Sequence, residues 1–253
     1  MSLQYGLLPV LGTLVGLGLM HVRALLGYVE AKEIELDYTI DGTVAQSGHL
    51  ALAVGETVWA SKGSIIAHTT NLEWDVKVPG GLAGAVKRSL SGEGAALTYI
   101  EATAEDQYVT LGANAPGHIE VWDLDASGAV LTTRGAFLAA WGTRINITGA
   151  IARRPGAMLF GGAGLVLQRI EGSGTVLIHG RGDFRRAELA EGEELHVSTG
   201  NVAAFSDGVD YDIKAVGSLR KTLFSKEGLF MTRLRGPGTV LLQTLKPAKA
   251  DKA

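Results

Sequence analysis

One pattern recurs three times along the chain: a glycine, a short alternating stretch, a second glycine, and an alanine four residues later. It runs Gly55 to Gly63 to Ala67, Gly128 to Gly135 to Ala139, and Gly192 to Gly200 to Ala204, with the second glycines 72 and then 65 residues apart. A bulky residue follows in each copy, at Trp74, Ile145 and Tyr211. A second block recurs at spacings of 70 and 64 residues, opening at Gly94, Gly164 and Gly228 with an apolar run. Such a period means that one supersecondary unit is copied, and no single copy buries its apolar face alone.

The blocks alternate or run apolar over short stretches, as in Glu194-Leu195-His196-Val197-Ser198, between turn glycines, which is the pattern of strands. Glycine accounts for 35 of 253 residues, so many tight turns are expected. The reading is all-β: tandem units closing around a pseudo-threefold axis so that few strand edges stay exposed. The expected organisation is an apolar N-terminal extension over 1–30 and a single repeat domain over 31–246. The repeats are placed near 31–93, 94–163 and 164–227, the closing strands at 228–246 and a polar tail at 247–253.

The units are joined by segments at 81–94, 150–164 and 217–228, each with two adjacent cations: Lys87 with Arg88, Arg153 with Arg154, and Arg220 with Lys221. In the first connector Leu82, Val86 and Leu90 make an apolar stripe at helical spacing, so short connector helices are expected. Repeats around an axis would gather the three pairs into a six-cation, anion-binding patch that the net charge of -3 conceals. The alternative is three solvated helix faces.

From Leu3 to Val22 only His21 can carry charge, a length that spans a bilayer core. Gly6, Pro9, Gly12, Gly16 and Gly18 weaken an isolated helix there. Two readings stay open: an apolar helix that covers the body or an oligomer interface, and a membrane-associated segment. The chain has no cysteine, which fits a reducing, cytoplasmic setting and removes thiol chemistry.

With these blocks in view, the chain resembles the family named after altered inheritance of mitochondria protein twenty-four. The resemblance is carried by PGGLAGAVKRSLSGEG at 79–94, RGAFLAAWG at 134–142 and EGLFMTRLRGPGTVLLQT at 227–244. It implies a double-stranded β-helix or sandwich of tandem units like the tryptophan RNA-binding attenuator, without established enzymatic activity. Eukaryotic members are linked to inner-membrane organisation. This chain lacks an Arg-rich, Ser-rich, acid-poor start and is read as a prokaryotic relative.

Catalytic patterns are missing from the sequence. The six histidines stand singly at 21, 49, 68, 118, 179 and 196, without the paired spacing of a metal site, and His179 and His196 read as strand residues. No nucleophile elbow or phosphate loop occurs, and glycines 172, 174, 236 and 238 read as hairpin turns. Asp123 with Asp125, and Asp210 with Asp212, read as solvated pairs on one strand face. Trp59, Trp74, Trp122 and Trp141 do not interleave with basic residues, so a nucleic-acid stacking platform is not expected. The expected function is a non-enzymatic scaffold, without cofactor or metal, that self-associates as a homo-oligomer and meets anionic lipid or a membrane surface. The alternative is a small-ligand- or RNA-binding regulator.

Overall fold

The computed structural model describes residues 36–79, 96–133, 135–150, 165, 167–215 and 230–247, all inside a compact unit running Ile34–Ala253. The connector cations Lys87, Arg88, Arg153, Arg154, Arg220 and Lys221 lie outside the described residues, as do the apolar segment 3–22 and residues 248–253 of the tail. The described residues are nearly all strand. The first group is β1 (Tyr38–Asp41), β2 (Ser47–Leu52), β3 (Thr57–Ala60), β4 (Ile65–His68), β5 (Leu72–Lys77), β6 (Leu97–Ala102) and β7 (Gln107–Gly112). The second is β8 (Gly117–Asp123), a one-turn helix α1 (Leu124–Ser127), β9 (Val130–Thr133), β10 (Phe137–Ala150) and β11 (Leu167–Arg181). The third is β12 (Phe184–Leu189), β13 (Glu194–Ser198), β14 (Val202–Ser206), β15 (Asp210–Ala215), β16 (Phe230–Arg235) and β17 (Gly238–Gln243).

Each group pairs its strands in the same way, always antiparallel. In the first, β7 lies between β2 and β4, and β6 lies between β3 and β5. In the third, β17 lies between β12 and β14, and β16 between β13 and β15. In the second, two long strands do the work of four. The late half of β11 pairs with β8 and the early half of β10, while its early half pairs with β9 and the late half of β10. Alternation along the strands sends one face inward: Gln107, Val109 and Leu111 of β7 are buried while Tyr108 is exposed.

The two halves of the long hairpin meet at a register shift between Thr143 and Asn146. Gly142 faces Gly174 there, both at φ +134, and a Cβ on either would sit 2.2 Å from a backbone oxygen across the pair. Glycine is required because the two backbones touch. This corrects the turn reading of glycines 172 and 174, which lie inside β11, whereas Gly236 and Gly238 do flank the β16–β17 turn.

The register also corrects two finer readings. Trp74 lies opposite Ile100, Tyr211 opposite Leu234, and in the second group Ile147, not Ile145, lies opposite Ile170. The register shift adds one residue to β10, so Ile147 follows its repeat glycine by 12 residues where Trp74 and Tyr211 follow theirs by 11. Asp125 is not on a strand. Asp123 caps α1 by accepting from the backbone N–H groups of Asp125 and Ala126, and Asp125 accepts from Gly174 N–H at 2.9 Å.

The pairing frame differs in phase from the one suggested by glycine spacing. The β5–β6, β10–β11 and β15–β16 hairpins straddle the expected repeat boundaries, so each connector lies within a unit. Turn glycines recur in every unit, which fixes a period without saying where a unit opens.

Three apolar cores follow the units and are shared across them. The first cluster joins Leu50, Val58, Ile100, Val109 and Leu111 to Leu138, Ala139, Trp141 and Leu177 of the second unit. The second cluster takes in Ala203 and Ala204 of the third unit, and the third takes in Leu131 and Leu167 of the second.

Candidate functional site

The surfaces that distinguish one unit from another are the junctions between them. At the first, β10 pairs with β3, with Ala139 opposite Ala60 and Ala140 opposite Trp59. At the second, β14 pairs with β9, with Ala204 opposite Thr132 and Phe205 opposite Leu131. The two ladders superpose on the repeat, since Ala139 and Ala204 both follow a glycine by four residues. Each is closed by a hydroxyl: Ser61 Oγ donates to the Phe137 carbonyl, and Thr133 Oγ1 donates to the Val202 carbonyl at 3.0 Å. Strand residues 137–140 and 202–205 are buried throughout, because each strand is shared between two cores: Leu138 and Ala139 pack in the first and Phe137 and Ala140 in the second, while Ala203 and Ala204 pack in the second and Val202 and Phe205 in the third.

Closure about a threefold axis requires a third ladder of this kind, between β4 and β13. Among the described residues no such pairing is present: β4 is hydrogen-bonded to β7 alone, and β13 to β16 alone. This corrects the expectation that closure leaves few edges exposed. Among the described residues two junctions are built, and one edge of each kind has no ladder partner. On the open edge Ile66 is 63% exposed, whereas its equivalents Leu138 and Ala203 are 1% and 0% exposed.

Charged groups are held in local pairs. Arg169 donates from Nε and Nη2 to the two carboxylate oxygens of Asp207, both at 3.0 Å, across the second junction, and from Nη1 to Glu171. The Asp207 bonds raise the Arg169 pKa, and the Arg169 bond lowers that of Glu171. Arg233 donates to Glu194 Oε1 at 2.9 Å, joining β16 to β13. Asp210 lies 3.7 Å from the same guanidinium, so this aspartate faces an arginine rather than only solvent. Glu188 accepts from Thr239 Oγ1 at 2.6 Å and from Arg186, which holds its carboxyl below the usual range.

His179 and His196 are strand residues, in β11 and β13. His179 is 2% exposed, and its Nε2 has no hydrogen-bond partner. Burial, with Arg181 and His118 nearby, pushes its pKa down, against a hydrogen bond to the Ala115 backbone. The ring packs over Gly117, where an added Cβ would lie 2.7 Å from Nε2. Among the described residues no group of three His, Asp or Glu side chains could hold a metal ion, and no helix is long and apolar enough to cross a membrane. Trp122 and Trp141 are core residues, while Trp74 is 53% exposed on the edge strand β5.

The connector cations lie outside the described residues, while the strands that carry the connectors are described. Each connector closes the same hairpin of its unit, after pairs Lys77–Leu97, Ala150–Leu167 and Ala215–Phe230. The open edges were missed from sequence because Ile65-Ile66-Ala67-His68 has the apolar character of its buried equivalents.

The family model described as mitochondrial biogenesis AIM24 matches residues 38–245. An uncharacterised protein of Streptococcus pyogenes serotype M6 is 31% identical over 205 residues, which cover 76% of this chain and 78% of that protein. The crystal structure of a Streptococcus pyogenes protein superposes with a TM-score of 0.69 at 26% identity, covering 84% of this chain and 94% of the other.

Proposed function

Because the chain belongs to the mitochondrial biogenesis AIM24 family, we propose that it serves as a non-enzymatic scaffold that associates with copies of itself and gathers on anionic surfaces. The observation that carries this reading is the apolar surface of the first unit. Ile66 and Trp74 are more than half exposed, while residues at the equivalent positions of the second unit, Leu138 and Ile147, are 1% exposed. Side chains of that size on a strand edge favour a partner, since covering them removes apolar area from water at about 25 cal/mol per Å2. The basic pairs of the connectors supply the anion-binding half of the proposal: three equivalent hairpins carry six cations.

Flotation of the full chain with neutral and anionic vesicles at low and moderate salt tests the anionic half. Binding to anionic vesicles alone, weakened by salt and by replacing Lys87, Arg88, Arg153, Arg154, Arg220 and Lys221 with glutamine, is the expected result. Salt-resistant flotation that is lost on removing residues 1–27 would place membrane association in the apolar segment instead. A single-chain mass in sedimentation at all concentrations would remove the self-association half.

A further inference from the structure

We propose that the open edge of β4 in one copy is filled by the open edge of β13 in a second copy, so that the missing third junction forms between chains. The proposal rests on the self-association reading above and gives it an interface and a register.

Other strands also carry an outer edge without a ladder. The equivalents β5, β15 and the late half of β10 each pair on one side only in every unit, and β8 and β12 do so as well, while their equivalent β2 is flanked by β1 of its own unit. Those edges belong to the unit itself. The edges of β4 and β13 differ, because their equivalents in the other units are paired to a neighbour. They are also complementary: in both built junctions a β4-type strand receives a β3-type strand from the unit before it, and β13 is the β3-type strand of the last unit.

The built ladders fix the register. Ala60 and Thr132 each precede the repeat glycine by three residues, and Val197 stands at that position before Gly200. Val197 of one copy therefore faces Ala67 of the next, and His196 faces His68. The hydroxyl that closes each junction recurs as well. Ser61 and Thr133 donate to the carbonyls of Phe137 and Val202, and Ser198 occupies the same position, aimed by the same register at the Ile65 carbonyl of the second copy.

The packing matches too. Ile66 would enter the third core as Leu138 enters the first, beside Leu195 and Tyr211, which are only partly buried within one chain. A contact that joins two different patches is head-to-tail, so it closes into a ring or continues as a filament according to the rotation per copy.

The chain has no cysteine, which makes the register directly testable. In the built junctions the residues equivalent to Ala67 and Val197 form an antiparallel pair. In such a ladder a non-hydrogen-bonded pair has a Cα separation of roughly 4.5 Å, within reach of a disulfide. Full-length chain carrying both Ala67→Cys and Val197→Cys is expected to form disulfide-linked oligomers under mild oxidation. The shifted pair Ile66→Cys with Val197→Cys is expected to yield at least tenfold less. His68→Pro removes an edge N–H that points away from β7, and is expected to reduce the sedimenting species to single chains while the melting curve stays within a few degrees.

Oligomers that form no disulfide with the matched pair would overturn the edge assignment but leave self-association standing. Single chains in the wild type would overturn both. Oligomers that appear only after deletion of residues 1–35 would show that the chain's own N-terminal segment fills the edge, and would overturn the proposal as well.

Discussion

At the scale of single residues, burial sets the protonation of His179. Its folded-state pKa lies below the ordinary 6.5, so the folded protein holds fewer protons than the unfolded chain once pH falls below that value. The stability present at neutral pH is therefore lost as pH drops from about 6.5 toward the lowered value. Thermal melts between pH 7.5 and 5.5 should show a fall in Tm for the wild type and a smaller fall for His179→Gln. Equal falls would mean that other groups dominate. Gly142 makes a second case at this scale. Its φ of +134 and the Ser173 carbonyl 2.2 Å from a built Cβ leave no place for a side chain. Gly142→Ala is expected to destabilise by more than the ~1 kcal/mol of an ordinary glycine effect, measured by urea denaturation.

At the scale of elements, equivalent strands have unequal energetics. Leu138 and Ile66 occupy the same position in two copies of one strand, yet the first lies in the core of the preceding unit and the second faces outward. Leu138→Ala should cost about 2–5 kcal/mol, as large-to-small changes in a packed core do. Ile66→Ala should stay within about 0.5 kcal/mol when measured on single chains. Chemical denaturation of the two variants, at a concentration where wild type and variant are both single chains, checks the contrast. α1 shows how a local signal is satisfied: Asp123 takes two backbone N–H groups at its start, and Asp123→Ala should cost about 0.5–2 kcal/mol.

At the scale of the whole molecule, the units share cores and so cannot be separate folding blocks. Trp141 of the second unit packs in the first core, and Ala203 and Ala204 of the third pack in the second. Far-ultraviolet dichroism and tryptophan fluorescence should therefore report one coincident unfolding transition over Ile34–Ala253. Deletion of residues 184–253 would remove β14 from one side of β9 and leave Leu131 and Thr132 on an unpaired edge. The shortened chain is expected to aggregate rather than melt cooperatively.

The all-β class was legible in the sequence because strand alternation and turn glycines are local signals, read over a few residues each. The family was legible too, because blocks such as those at 134–142 and 227–244 combine turn chemistry with core residues in a fixed order. Local signals could not give the phase of the pairing frame, since a glycine at a turn does not say which strands meet beyond it. Nor could they separate Ile66 from Leu138 and Ala203, which share a sequence context. Whether each strand is buried depends on a neighbour some seventy residues away in sequence, and for the first unit the described chain contains no such neighbour. The sequence by itself determined what each unit is made of. Only the tertiary structure decided which edges the units satisfy for one another and which they leave open, because ladder partners are chosen by proximity after folding and not by the residues of the strand alone.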